Sequence, residues 1–201
     1  MSRLIDFDVS ALALLPSEFS ATWPAPLLEP ANGDALTWQR ISSPTDPAFG
    51  EVLAFANRQQ GYWVDAHPRP TSVREVTRVL SALPAGATSE QKGLWALRRG
   101  GRVVGCLDVM RHWPQQGTVA IGLLLVDESL RRQGLGGAVL AQLAQRCHAW
   151  PGVRRWRAAV QEHHAGALAF WRGAGFLEIG VRQVAPNLRG SLIVLERAIP
   201  R

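Results

Sequence analysis

The order of apolar and polar residues predicts four strands in the first two thirds of the chain. Residues 36–41 alternate as a half-buried strand does. Residues 94–98 and 103–110 are apolar runs that flank Gly100-Gly101, a pair typical of a two-residue hairpin turn. Residues 119–126 are almost wholly apolar, which is typical of a strand covered on both faces. We therefore expect a sheet that contains a central hairpin.

Capping residues indicate two helices between the first and second strands. Asp46 followed by Pro47 is typical of a helix N-terminus, because aspartate accepts from free amides and proline fits the first turn. Ser72 and Glu75 form a capping-box pattern, which predicts a second helix. Residues 61–70, between these helices, are predicted to form a loop.

The rest of the chain continues the alternation of helices and strands. Helices are predicted at about 134–149 and 165–174, and strands at 156–160, 176–182 and 191–198. The predicted order is β-α-α-β-β-β-α-β-α-β-β, without a visible repeat. This order indicates an α/β (α+β) protein.

The first 34 residues differ from the rest, because they contain four prolines and only a short apolar patch. We predict an N-terminal extension at 1–34 and one domain at 35–201. No apolar run approaches the roughly 20 residues that span a bilayer. The start also lacks the basic and apolar segments of a secretory signal. We therefore expect a cytoplasmic protein with no membrane partner.

Composition limits the partners of this 201-residue chain. Hydrophobic residues make up 47% and charged residues 19%, which is typical of a folded domain. The net charge is +6, and 21 of the 22 basic residues are arginine. This balance suits a phosphorylated ligand, but the arginines form no continuous stripe, so we expect no nucleic-acid partner. The two cysteines, Cys106 and Cys147, are expected to fill the core.

The segment after the fourth strand has the features of an anion site. It contains Arg131-x-x-Gly134-x-Gly136, and the predicted helix begins at once. The first amides of a helix have no partner within it, and the helix dipole favours negative charge there. Glycines let a phosphate approach the backbone, and arginines add charged contacts. The glycine pattern of a Rossmann site and the Gly-Lys-Ser/Thr of a P-loop are both absent.

The whole pattern, Leu124-x-Val126-x-x-x-x-Arg131-x-x-Gly134-x-Gly136, resembles motif A of the GNAT superfamily of N-acetyltransferases. The resemblance implies acetyl-CoA as cosubstrate. It also implies a mixed, mostly antiparallel seven-stranded sheet, flanked by about four helices and splayed between strands four and five. By position, the strand end would pair with pantetheine and the loop would hold pyrophosphate. The expected cofactor residues of these segments are Leu124, Leu125, Val126, Arg131, Arg132, Gln133, Gly134, Leu135, Gly136 and Gly137.

A second segment, residues 164–176, resembles motif B of the same family. Ala167, Phe170, Gly175 and Phe176 match that motif in register. His164 replaces an asparagine that usually contacts the cofactor. Trp171 replaces the tyrosine that protonates the departing thiolate in many members, and an indole N–H is not a practical acid. Both His164 and Trp171 are expected to contact the cofactor.

The family reaction is a direct attack of an amine on the thioester in a ternary complex. The resemblance assigns the polarisation of the thioester carbonyl to the N–H of Leu124. The usual acid on strand four is missing, since residues 119–122 carry no charge. The other catalytic candidates are Asp108, His164 and Trp171. Further residues that could accept a proton are Asp65, His67 and His163.

The acceptor is expected to be a small-molecule amine. In relatives, the region of residues 61–69 borders the acceptor, and here Tyr62, Trp63 and Asp65 would form an aromatic and acidic cradle. A peptide acceptor and a non-catalytic acyl-CoA sensor stay open as alternatives. A homodimer is possible, and no metal site is expected.

Overall fold

The computed structural model describes residues 35–67, 72–185 and 188–199. Seven strands and five α-helices lie in these ranges. The strands are Thr37–Ile41 (β1), Lys92–Arg99 (β2), Arg102–Arg111 (β3), Thr118–Val126 (β4), Arg155–Gln161 (β5), Leu177–Val184 (β6) and Ser191–Ala198 (β7). The helices are Pro47–Arg58 (α1), Gln60–Ala66 (α2), Val73–Ser81 (α3), Leu135–Cys147 (α4) and Ala165–Gly173 (α5). The predicted extension at 1–34 lies outside the described residues.

The strands form one mixed sheet in the order β1-β2-β3-β4-β5-β7-β6. All neighbouring strands are antiparallel except β4 and β5, which run parallel. The predicted α/β fold with a seven-stranded, mostly antiparallel sheet is confirmed. Five helices take the place of the expected four or so.

Each face of the sheet carries its own core. On one face, α4 and α5 pack against the centre of the sheet, with Val139, Leu143 and Leu168 among the buried side chains. On the other face, the α1–α3 face, the three N-terminal helices cover β2, β3 and β4. The alternation of side chains along each strand supplies both cores, because successive residues point to opposite faces.

The local signals in the sequence correspond to observed hydrogen bonds. Asp46 caps α1 by accepting from the amide of Ala48, and Ser72 and Glu75 form the reciprocal capping box of α3. At the hairpin between β2 and β3, Gly100 and Gly101 have φ values of 55° and 74°, which glycine adopts without strain. These predictions are confirmed.

The predicted loop at residues 61–70 was wrong for its first part, because Gln60–Ala66 form the helix α2. This seven-residue helix has no side-chain cap. Its stability comes from burial: Trp63 and Ala66 are 1% and 2% exposed. Tertiary packing therefore overrides the weak local signal, which contains a glycine near the helix start.

Among the described residues, no helix has both the length and the apolar character that a bilayer crossing requires. The same residues contain no group of three or more His, Cys, Asp or Glu side chains placed to hold a metal ion.

Candidate active site

The two parallel strands at the centre of the sheet separate halfway along their length. Residues Thr118–Ile121 of β4 pair with Arg155–Ala158 of β5, and the pairing stops there. Beyond that point a β-bulge lies in β4 at Gly122, because Asp108 of β3 pairs with Leu123 while the next residue pairs with Ile121. A bulge bends the strand that carries it. The predicted splay between strands four and five is confirmed, and it opens a wedge.

The backbone of β4 presents unpaired groups to this wedge. The amide of Asp127 donates to the carbonyl of Val104 on β3, at 2.9 Å. In an antiparallel pair, such bonds recur at every second residue. The backbone groups of Leu123, Leu125 and Asp127 thus face β3, while those of Leu124 and Val126 face the wedge. This geometry brings the two predicted pantetheine partners to one open edge.

The loop after β4 leads directly into α4 and leaves the start of that helix open. Arg132 and Gly134 have φ values of 60° and 79°, so the chain makes a left-handed turn just before the helix. Gly134 is the N-cap residue, and no side chain caps the helix. The amides of residues 135–137 therefore have no partner within the helix. Gln133 stabilises the loop by donating to the carbonyl of Ser129 at 2.9 Å.

Two arginines carry positive charge on the exposed loop before the N-terminus of α4. Arg131 and Arg132 are both exposed. Arg131 lies 3.3 Å from Glu128, an ion pair that solvent weakens because both side chains are 44–48% exposed. Residues 131–137 thus form one largely exposed turn that leads from the end of β4 into α4, and their expected contact with a pyrophosphate stays a prediction.

Helices α4 and α5 meet at the first turn of α4. A Cβ placed on Gly136 would lie 2.8 Å from Cε2 of Phe170, closer than real Cβ atoms approach other atoms. Gly136 thus allows the aromatic ring of α5 to lie against the helix start. The next glycine, Gly137, has no such neighbour within 4 Å.

The two residues that depart from motif B occupy different environments. Trp171 is 8% exposed and packs edge-to-face on Phe176, with a centroid distance of 4.8 Å. It belongs to the core under α4 and α5. His164 is half-buried at the N-terminus of α5, where its carbonyl accepts the first helical bond from Leu168. Their expected cofactor contacts stay a prediction.

Asp108 is the buried acid nearest to the open edge of β4. The residue is 8% exposed, and its Oδ2 accepts from Nζ of Lys92 on β2 at 2.7 Å. A Cβ on Gly122 would lie 3.3 Å from that Oδ2, so the carboxylate lies against the bulge. Burial raises the pKa of Asp108, and the Lys92 ammonium opposes that shift.

The three predicted acceptor residues do not share one surface. Trp63 lies in the core, where its indole N–H donates to the carbonyl of Ala56 at 2.7 Å. Tyr62 is half-buried beside it, and burial raises the pKa of the phenol to about 12. Asp65 is exposed, and its carbonyl accepts from Nε2 of His163 at 3.0 Å. Trp63 therefore packs behind Tyr62 in the core, and a role of Tyr62 or Asp65 at the acceptor stays a prediction.

The end of α2 is hydrogen-bonded to the far half of the sheet. The carbonyl of Ala66 accepts from Nε2 of Gln161 on β5 at 2.7 Å and from the amide of Arg189, just before β7, at 3.1 Å. Arg189 also donates through Nε to the carbonyl of His67 at 2.8 Å. These bonds bridge the two sides of the wedge on the α1–α3 face.

Two further residues, which the sequence did not predict, connect the elements around the wedge. Gln59, between α1 and α2, is 4% exposed and accepts from the amide of Glu128, in the turn after β4, at 3.1 Å. Lys92 is the partner of Asp108 and the only lysine of the sequence. Its rarity among 21 arginines was a visible signal, whereas nothing in the sequence distinguishes Gln59 from other glutamines.

Comparison with known proteins agrees with the geometry. A sequence model of the Acetyltransferase (GNAT) family matches residues 52–176. No curated protein matches the sequence significantly.

Solved structures show the same fold at low sequence identity. An acetyltransferase from Thermus thermophilus is 24% identical, with a TM-score of 0.61 over 80% of this chain and 96% of its own. The ribosomal-protein-S18-alanine N-acetyltransferase of Escherichia coli is 21% identical, with a TM-score of 0.56 over 83% and 95%. A GNAT family acetyltransferase from Elizabethkingia anophelis, with acetyl-CoA bound, is 15% identical, with a TM-score of 0.53 over 81% and 97%. With the family match over more than half of its length, the chain belongs to the GNAT acetyltransferase family.

Proposed function

We propose that the protein transfers the acetyl group of acetyl-CoA to a primary amine of a small molecule. The observation that carries the proposal is the wedge between β4 and β5, with the open start of α4 at its top. The wedge offers main-chain groups to a pantetheine arm, and the helix start offers amides to a pyrophosphate. Membership of the GNAT family supports an acyltransferase reaction.

The reaction proposed is a direct attack in a ternary complex. The amine nitrogen forms a bond to the acetyl carbonyl carbon while the carbon–sulfur bond breaks. The amine gives up one proton, and CoA leaves with one as the free thiol. The amide of Leu124 faces the wedge and would donate to the carbonyl oxygen as negative charge develops on it. Positioning of the two substrates in the wedge supplies much of the remaining rate.

Closure of the wedge on the α1–α3 face favours a small acceptor. An extended peptide needs an open groove, whereas the bonds from Gln161 and Arg189 to the carbonyl of Ala66 join the end of α2 to β5 and to the segment before β7. Gln161 is itself 7% exposed, so this bridge is covered.

A peptide acceptor is the second candidate. One protein of the same fold is the alanine N-acetyltransferase of ribosomal protein S18, so this architecture is compatible with acetylation of a protein N-terminus. Binding of a peptide would require the hydrogen bond from Gln161 to the carbonyl of Ala66 to break.

The proposal is tested by mixing the protein with acetyl-CoA and a panel of amines, and by measuring thiol release. The panel contains phenylethylamine, spermidine, amino acids, an aminoglycoside and a peptide with a free N-terminal alanine. We expect binding of acetyl-CoA by calorimetry and turnover with a small amine. Turnover of the peptide alone would establish the second candidate. Binding without turnover on any amine would indicate a sensor of acyl-CoA, and absence of binding would contradict the cosubstrate.

The two cysteines of the protein are expected not to interfere with that thiol assay. Burial raises the pKa of the Cys147 thiol to about 12 and that of Cys106 further. Because thiolates are the reactive species, neither thiol should react with a disulfide reagent at pH 8 in the native protein. Denaturation should expose both. Rapid labelling of the folded protein would show that the core around β3 or α4 opens readily.

A further inference from the structure

Lys92 binds only one of the two carboxylate oxygens of Asp108. Its Nζ lies 2.7 Å from Oδ2. Oδ1 is buried, and no group among the described residues donates a hydrogen bond to it. A buried charged oxygen without a donor is costly, so its occurrence indicates a missing partner.

We infer that Oδ1 of Asp108 is the binding point for the ammonium group of the acceptor, and that Lys92, by binding Oδ2 alone, leaves this buried oxygen without a donor until the acceptor enters. The inference rests on the proposed function, because it names the substrate class of that same site: a primary amine that arrives as a cation and releases one proton to solvent before its nitrogen attacks the thioester. Asp108 is then the binding residue, and Lys92 is a positioning residue that acts through it.

The position of Asp108 fits an amine that attacks a thioester in the wedge. Asp108 pairs with Leu123. The next residue along β4 is Leu124, and the backbone groups of Leu124 face the wedge. Gly122 has no side chain, and the carboxylate lies in the space that a side chain would fill. The carboxylate of Asp108 on β3 therefore lies beside the bulge of β4.

The choice of lysine follows from the shape of the two cationic side chains. An ammonium group is a compact donor, whereas a guanidinium is a planar fork that binds both oxygens of a carboxylate. An arginine at position 92 would therefore occupy Oδ1 as well. The sequence has 21 arginines and one lysine, and this lysine lies at the position where a guanidinium would also bind Oδ1 of Asp108.

Few other charges act on this carboxylate. Cys106 lies two residues away on the same face of β3, and Tyr62 of α2 lies beyond that thiol. Arg40 of β1 lines a cavity of about 150 Å³ together with Lys92. Helices α1 and α3 cover this face with apolar side chains only, which are Ala48, Phe49, Val52, Phe55, Ala56, Val76 and Leu80. Lys92 is therefore the main counter-charge of Asp108.

Exchange of Lys92 for arginine tests the inference by steady-state kinetics. We expect Lys92→Arg to raise the KM of the best amine of the panel about 10- to 100-fold, the range of one hydrogen bond to a charged group. The dissociation constant of acetyl-CoA should stay within about twofold. The matched control is Arg157→Lys, in the similarly buried pair with Glu196 between β5 and β7, which should leave both constants unchanged. An unchanged amine KM in folded Lys92→Arg protein would overturn the inference.

A pH profile separates the charge of Lys92 from its packing. The carboxylate must be ionised to bind an ammonium, so kcat/KM falls as the pH drops through the pKa of Asp108. Because Lys92 lowers that pKa, Lys92→Met should move the acidic limb of the profile to higher pH. If the acidic limb does not move, the ionisation of Asp108 does not determine binding of the amine.

Binding of the amine can be measured directly, without turnover. Lys92 is the single lysine of the sequence, so labelled lysine gives one NMR signal. Protein labelled with [ε-¹³C]lysine is titrated with each amine of the panel and observed by NMR. The signal should move on addition of an acceptor amine, and the movement should vanish in Asp108→Asn protein. A signal that no amine moves would overturn the inference even if acetyl-CoA binds. A signal that moves in a protein without turnover would support it, and the proposed function alone would fail.

Discussion

Replacement of Trp63 by alanine is expected to lower the free energy of unfolding by about 3–5 kcal/mol. Trp63 is 1% exposed, so its truncation leaves a cavity between α2 and the sheet. The loss is large beside the roughly 5–15 kcal/mol that stabilises an ordinary domain. Denaturant unfolding followed by circular dichroism measures it.

Trp63→Phe is the matched control for this loss. Phenylalanine keeps most of the ring but cannot donate to the carbonyl of Ala56, so we expect a smaller cost, mainly that of the lost bond and the lost volume. If Trp63→Ala keeps the stability of the parent but loses turnover of the amine, the tryptophan acts on the acceptor, as the sequence predicted, and its packing role is secondary.

Replacement of Gly136 by alanine is expected to weaken acetyl-CoA binding about tenfold or more, equivalent to at least about 1.4 kcal/mol. The new methyl group would lie 2.8 Å from the ring of Phe170, so α5 and the start of α4 must move apart. The amides of residues 135–137 then lose their alignment with the wedge. Calorimetric titration with acetyl-CoA measures the dissociation constant.

Gly137→Ala offers a control one residue away. A Cβ there meets nothing within 4 Å, and alanine stabilises a helix relative to glycine by about 1 kcal/mol, so binding should change little. Phe170→Leu added to Gly136→Ala should restore part of the affinity by removing the collision. Equal losses in the two alanine variants would show that the cofactor itself, and not Phe170, limits the space at this turn.

The sequence predicted the elements with strong local chemistry. Asp46, the Ser72–Glu75 pair and the Gly100-Gly101 turn satisfy backbone groups within a few residues, so their effects can be read without a structure. Helix α2 could not be read that way, because its stability comes from the contact of Trp63 with α1.

At the candidate site, the sequence predicted the local backbone conformation but not the contacts between distant residues, and the binding roles of the site residues stay predictions. The turn at 131–137 is encoded by consecutive residues, and the structure forms it as expected. The pairing of Lys92 with Asp108 joins positions 16 residues apart, and the bond of Gln161 to Ala66 joins positions 95 apart. Such contacts depend on strand order and register, which a single sequence does not specify.

The opened edge of β4 has a consequence for how such proteins diverge. Amide and carbonyl groups are the same in every residue except proline, so a substitution in β4 changes the side chain and leaves the group that faces the wedge. The groups that this edge would offer to the proposed cosubstrate are therefore insensitive to most substitutions, and chains that agree at 15–24% of positions still share the fold. Under the proposed function, selectivity for the acceptor would then depend on the side chains around the bulge.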